Sequence, residues 1–255
     1  MLNRIADAKS HIHVVQLYDA DEELLIRNVG QYFSEGFALG EGALIIAGAD
    51  HGEAFQAELE RLGFDLQQLV RDGRMIVLDA SETLSRLILR GLPDADRFKS
   101  TLEGAAAQLC AASEAGRFRA YGEMVGLLWA AGSVTVALEL EDLWNAALAT
   151  GSFSLFCGYP IDVFGTEFQE ALIDGVICSH SIVLSSGDKQ LSDAIERAIG
   201  EVVGANVVRG LFDAQEAAQS RAVLPKAEAT ALWVRSSLPR HADAIMDRAR
   251  LYYKS

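Results

Sequence analysis

The chain has 255 residues, half of them hydrophobic and 23% charged, with only 4 prolines. This is the composition of one large folded domain, or a domain with an appendage, and it excludes disordered, collagen-like and linker-dominated chains. Lys and Arg number 22 against 36 Asp and Glu, a net charge of −14 that opposes attraction to phosphate backbones and anionic lipid, so nucleic acid is disfavoured as the main ligand.

The first residues contain no run suited to a signal peptide, and no later stretch reaches the roughly 18 charge-free apolar residues of a membrane span. Cys110, Cys157 and Cys178 are too few for a disulfide-stapled scaffold and point to a reducing compartment. A cytoplasmic protein without membrane attachment is expected.

In chain order, apolar runs at 13–18 (HVVQLY), 43–48 (ALIIAG), 75–78 (MIVL), 118–121 (FRAY) and 153–157 (FSLFC) read as strands, most of them apolar on both faces. Helical patterns lie between them at 21–37, 51–62, 82–90, 94–112, 123–131 and 134–148. Asp19, Asp50, Ser81 and Ser133 stand where helix N-caps are wanted. Alternating strand and helix predicts an α/β fold with a mostly parallel sheet covered by helices on both faces.

The charge is uneven. Residues 188–255 carry 10 basic and 9 acidic side chains, or +1, which leaves −15 for 1–187. The break falls in the small-residue stretch Ser185-Ser186-Gly187-Asp188, so an α/β domain over 11–187 and a helical C-terminal extension over 188–255 are expected. In the extension Leu191, Ile195, Ile199 and Val202 share one helical face, and Leu238, Ala242, Ile245, Ala249 and Tyr252 share another. Such faces serve packing, dimerisation or partner docking.

In an open parallel sheet, ligands bind beyond the carboxyl ends of the strands. After the first run stands Asp19-Ala-Asp-Glu-Glu23, whose carboxylates at a helix start repel phosphate, and no GxxxxGK[ST] loop occurs. The chain also lacks CxxC, HExxH, GxSxG and GxGxxG patterns, so no catalytic role, cofactor or metal is assigned. His11 and His13 are spaced to share a strand face, as a metal pair would require, but hydrogen-bonded core or edge histidines show the same arrangement and are the expected reading.

The segment 117–159 is the richest. Gly122 allows close backbone approach, and Glu123 opens the next helix, facing the expected crevice. Glu141 and Asn145, one turn apart, share a helix face, as a core network or a polar-rimmed pocket requires. Trp129, Trp144, Phe153, Phe156 and Tyr159 offer apolar walls, and Cys157 reads as a small buried residue.

In order, His13-Val-Val-Gln-Leu-Tyr18, Gly40-Glu-Gly-Ala-Leu-Ile-Ile-Ala47, Tyr121-Gly-Glu-Met-Val125 with Trp129, Leu140-Glu-Asp-Leu-Trp-Asn145, Phe153-Ser-Leu-Phe-Cys-Gly-Tyr-Pro160 and Cys178-Ser-His180 resemble the MEDS domain. That sensory domain is named for methanogens, methylotrophs and the dichloromethane regulator DcmR. The likeness spans roughly residues 11 to 184. It implies a RecA/KaiC-like fold without a working phosphate loop, used to sense hydrocarbon derivatives and commonly joined to histidine kinases or DNA-binding domains.

By motif match it carries over His13, Tyr18, Glu123, Glu141, Asn145, Cys157 and Tyr159 as ligand-site candidates, with Trp129 as an apolar wall. Alternation along a straight strand puts His13 and Tyr18 on opposite faces. The expectation is a non-enzymatic, homo-oligomeric sensor of a small, largely apolar ligand that signals to a histidine kinase, response regulator or transcription factor. An adaptor without a small ligand, and a degenerate nucleotide-binding protein with weak ATPase activity, are the alternatives.

Overall fold

The computed structural model describes residues 12–19, 22–185, 189–204 and 224–253, with backbone alone at 170–172. The first elements are β1 (His13–Tyr18), α1 (Glu23–Ala38), β2 (Gly42–Ala47), α2 (Ala49–Arg61), α3 (Leu66–Arg71), β3 (Met75–Asp79), α4 (Ala80–Leu87) and a short hairpin, β4 (Ile88–Leu89) with β5 (Leu92–Pro93). Next come α5 (Ala95–Ala112), β6 (Phe118–Gly122), α6 (Met124–Ala130), α7 (Val134–Thr150), β7 (Phe153–Pro160), α8 (Glu170–Cys178) and β8 (Ile182–Leu184). Helices α9 (Lys189–Val203), α10 (Lys226–Ser237) and α11 (Ala242–Tyr253) follow.

The fold class is α/β, as the alternating pattern predicts. A six-stranded sheet runs in the order β3-β2-β6-β7-β1-β8, and β2 pairs in parallel with β3 and β6, as β6 does with β7. Burial explains the order. Every residue of β1, β2 and β6 is buried, which needs helices on both faces, whereas in β3 only Met75 is buried and the rest are partly or fully exposed, as suits an edge strand.

By contacts the chain forms two compact units: the described residues of 1–15 and 22–160, and those of 16–21 and 161–255. In the first unit, Glu41, just ahead of β2, accepts hydrogen bonds from Arg117 Nε at 2.6 Å and Arg119 Nε at 2.7 Å. Arg119, buried, also donates to the Tyr32 carbonyl oxygen at 2.7 Å and lies over the Tyr32 ring, so one guanidinium ties β6 and α1 to β2.

In the second unit, α9 buries Leu191, Ala194, Ile195, Ala198 and Ile199, and α11 buries Ala242, Ile245, Met246 and Ala249. These are largely the two apolar faces expected from sequence. Arg235 donates to the Phe164 carbonyl oxygen at 2.9 Å, Arg250 pairs with Asp162, and Ser185 donates to Glu228 at 2.9 Å. Of the expected boundary at Ser185–Asp188, residues 186–188 lie outside the described residues.

Several elements differ from the sequence reading for local reasons. The helix expected over 82–90 stops at Leu87, because Arg90 and Gly91 both take positive φ (57° and 86°) in the two-residue turn between β4 and β5. The caps at the next helices are aspartates: Asp79, not Ser81, accepts from Glu82 N at 2.7 Å, and Asp94 accepts from Arg97 N at 2.9 Å. Helix α3 has six residues, too few for a periodic signal, and it starts where Asp65 accepts from Gln68 N at 2.8 Å. Helix α10 buries Glu228 and Thr230 among its apolar residues, which blurs its amphipathic pattern.

Two glycines separate crowding from propensity. A Cβ at Gly126 of α6 would stand 2.5 Å from the Gly158 carbonyl oxygen and 3.0 Å from Pro160 Cδ, whereas one at Gly104 of α5 meets nothing within 4 Å. Gly126→Ala is therefore expected to destabilise by about 1–3 kcal/mol. Gly104→Ala is expected to stabilise by about 0.5–1 kcal/mol. Thermal melts of the two variants should shift in opposite directions, and shifts of the same sign contradict the packing described.

Candidate functional site

Six of the eight sequence candidates meet inside the first unit. On β7, Cys157 and Tyr159 are two residues apart and so lie on one face, next to His13 of β1. Helix α7 covers that face and brings Glu141 and Asn145 down from successive turns. His13 Nδ1 is 2.9 Å from Asn145 Oδ1, while its Nε2 is 3.3 Å from Cys157 Sγ and 3.4 Å from Glu141 Oε2. Tyr159 donates its hydroxyl to Glu141 Oε1 at 2.7 Å, and the Trp129 indole meets the Tyr159 ring edge-on at 5.7 Å between centroids.

The Asn145 amide oxygen accepts, so His13 Nδ1 is the donor, and in the neutral ring the Nε2 lone pair then faces Cys157 and Glu141. Glu141 is 1% exposed, and burial pushes its carboxyl up to about 8 against the downward pull of the Tyr159 hydrogen bond. Burial, and then the neighbouring Glu141, raise both the Cys157 thiol and the Tyr159 phenol. Cys157 thus fits the small buried residue read from sequence, set in a polar cluster. His11 lies outside the described residues.

Glu123 belongs to a different constellation, at the carboxyl ends of β2 and β6. It occupies the N-cap position of α6 without capping that helix. Its Oε2 accepts from Gly48 N at 2.7 Å, at the start of α2, and its Oε1 accepts from His51 Nδ1 at 2.5 Å. His51 Nε2 lies 3.1 Å from Glu22 Oε2. The carboxylate that sequence alone aims at a ligand thus serves the first turn of α2 and one face of an imidazole.

The strand-end rule points to Ala49-Asp50-His51, but nothing in the spacing ties His51 to a glutamate 72 positions later. Tyr18 is buried in the second unit.

A second feature of the first unit carries no sequence motif. An apolar groove of about 560 Å³ runs between α5 and α7, walled by Phe98, Leu102, Ala106, Leu143, Ala147 and Phe153, with Lys99 and Glu103 at its rim. Of the eight candidates, none lines it. Small alanines on both helices hold it open, a signal that only the helix pairing makes readable.

Burial lowers the pKa of His51, but the hydrogen bond and charge of Glu123 and the charge of Glu22 outweigh it, and the net shift is upward from 6.5. A raised histidine pKa contributes stability that is fully present below the unfolded value and is lost as pH rises through the folded one. Glu123→Gln is expected to lower the His51 pKa, read from its ring proton shifts by NMR, and to shrink the stability loss above pH 6.5. An unchanged His51 titration contradicts this pairing.

The profile of the methanogen/methylotroph, DcmR sensory domain matches residues 12–181, which include every residue of the polar cluster. Among curated proteins, none matches the chain. No helix among the described residues is long and apolar enough to cross a membrane. With the ordered motifs matched over two thirds of its length, the chain belongs to the MEDS family of sensory domains.

Proposed function

We propose that this MEDS domain is a non-enzymatic sensor that takes a small, largely apolar ligand and passes its binding state to a regulatory partner, a histidine kinase, response regulator or transcription factor. The observation that carries this reading is the groove between α5 and α7. Its volume of about 560 Å³ lies within the roughly 300–1,000 Å³ of small-molecule sites, and its walls are mainly apolar. Beside Trp144 and Phe98, on the same two helices, only about 10 Å³ is left. The strand order, with β1 inside the sheet between β7 and β8, supports the RecA/KaiC-like architecture that the resemblance implies.

Helix α7 supplies the coupling. One side of it lines the groove through Leu143, Ala146 and Ala147, and another carries Glu141 and Asn145 into the polar cluster. A ligand that prefers one position of α7 shifts the population of those hydrogen bonds, because only differential affinity for two arrangements can drive a switch.

The test uses 1-hexanol and 1-chlorobutane as probes of the full chain by NMR. Shift changes are expected at Leu102, Ala106, Leu143 and Ala147, and Ala106→Trp, which fills the groove, should abolish them. Responses centred on Glu123 or Trp129, or unchanged by Ala106→Trp, place the ligand elsewhere and overturn this assignment.

A further inference from the structure

We propose that His13, Glu141 and Cys157 form a binding site for a transition-metal dication of the zinc class. One donor atom from each, an imidazole nitrogen, a carboxylate oxygen and a sulfur, lies within 4.8 Å of the others, and all three residues are buried. The set is chemically selective: nitrogen and sulfur donors suit zinc, cobalt and iron, whereas magnesium and calcium take oxygen.

The spacing fits as well. A tetrahedral zinc with bonds of about 2.0–2.3 Å sets its donors roughly 3.3–3.8 Å apart. His13 Nε2 is 3.3 Å from Cys157 Sγ and 3.4 Å from Glu141 Oε2, so those separations need little change around an ion. The first unit supplies three of the four donors such an ion takes.

The surroundings are those of a supported site. Metal-bound histidines donate their other ring N–H to an oxygen, which fixes the tautomer, and Asn145 Oδ1 accepts from His13 Nδ1 at 2.9 Å. Ligating carboxylates are themselves hydrogen-bonded, and Tyr159 donates to Glu141 Oε1 at 2.7 Å, leaving Oε2 as the atom turned toward His13. Asn145 and Tyr159 act here as positioning residues. Strand β1, strand β7 and helix α7 each contribute one ligand, so an ion would cross-link elements far apart in sequence.

Binding converts the Cys157 thiol to a thiolate and the Glu141 carboxyl to a carboxylate, and both protons leave to solvent as the dication takes their place. The residues differ from those of the groove, so this inference and the ligand reading fail independently.

The experiment titrates the untagged full chain, stripped with a chelator, with cobalt(II) and then zinc(II), following the visible and near-ultraviolet spectrum and metal content after dialysis. One cobalt per chain is expected, with the intense visible bands of a tetrahedral ion and a sulfur-to-cobalt charge-transfer band that zinc bleaches.

Cys110 and Cys178 are the other free thiols, and the double variant Cys110→Ser/Cys178→Ser should keep the band. Cys157→Ser should lose it. Tyr159→Phe and Asn145→Ala should keep the band but weaken binding by about 10- to 100-fold. No stoichiometric metal in the wild-type chain, or cobalt bound without a thiolate band, overturns the proposal. A band lost in the Cys110→Ser/Cys178→Ser chain while its melt is unchanged does so too.

Discussion

A histidine, a carboxyl, a thiol and a phenol taken out of water lose their hydration, a cost recovered only by mutual hydrogen bonding. In the first unit that requirement links β1, β7 and α7, because His13, Cys157, Tyr159, Glu141 and Asn145 satisfy one another across those elements. An apolar core of the same volume would hold α7 by packing alone, which tolerates small slides. Directed hydrogen bonds do not, so the cluster specifies where along the sheet α7 sits and which way it faces.

That constraint gives the groove its meaning. Helix α7 is held on its core side by polar contacts and is under-packed toward α5, where alanines leave open apolar space. In the proposed reading, a ligand in that space and the cluster would both act on α7, so occupancy on one side would bias geometry on the other. At the strand ends a second polar unit, Glu22, His51 and Glu123, secures the start of α2. It lies at the edge where open parallel sheets present their ligands, but its groups are engaged with one another and with the Gly48 N–H.

Much of this was legible in the sequence. The buried strands β1, β2, β6 and β7 announce themselves as apolar runs, and the alternation with helices gives the parallel sheet. Glu141 and Asn145 share a helix face by spacing, as Cys157 and Tyr159 share a strand face. What joins those pairs to His13 is strand order, and the neighbourhood of β1 and β7 is a fact of topology that no local pattern encodes.

The same limit hides His51 from Glu123 and α5 from α7. Short elements escape for another reason: α3 and the β4–β5 hairpin are set by one aspartate cap and one two-residue turn, signals smaller than any hydrophobic period.

The central claim is that Asn145 fixes the His13 ring so that Nε2 presents a lone pair to Cys157 and Glu141. Nitrogen-15 NMR of the imidazole tests it most directly. The account predicts a proton on Nδ1 and an unprotonated Nε2, with the Nε2 resonance moving when metal is added. A ring protonated at Nε2 in the folded protein would contradict it.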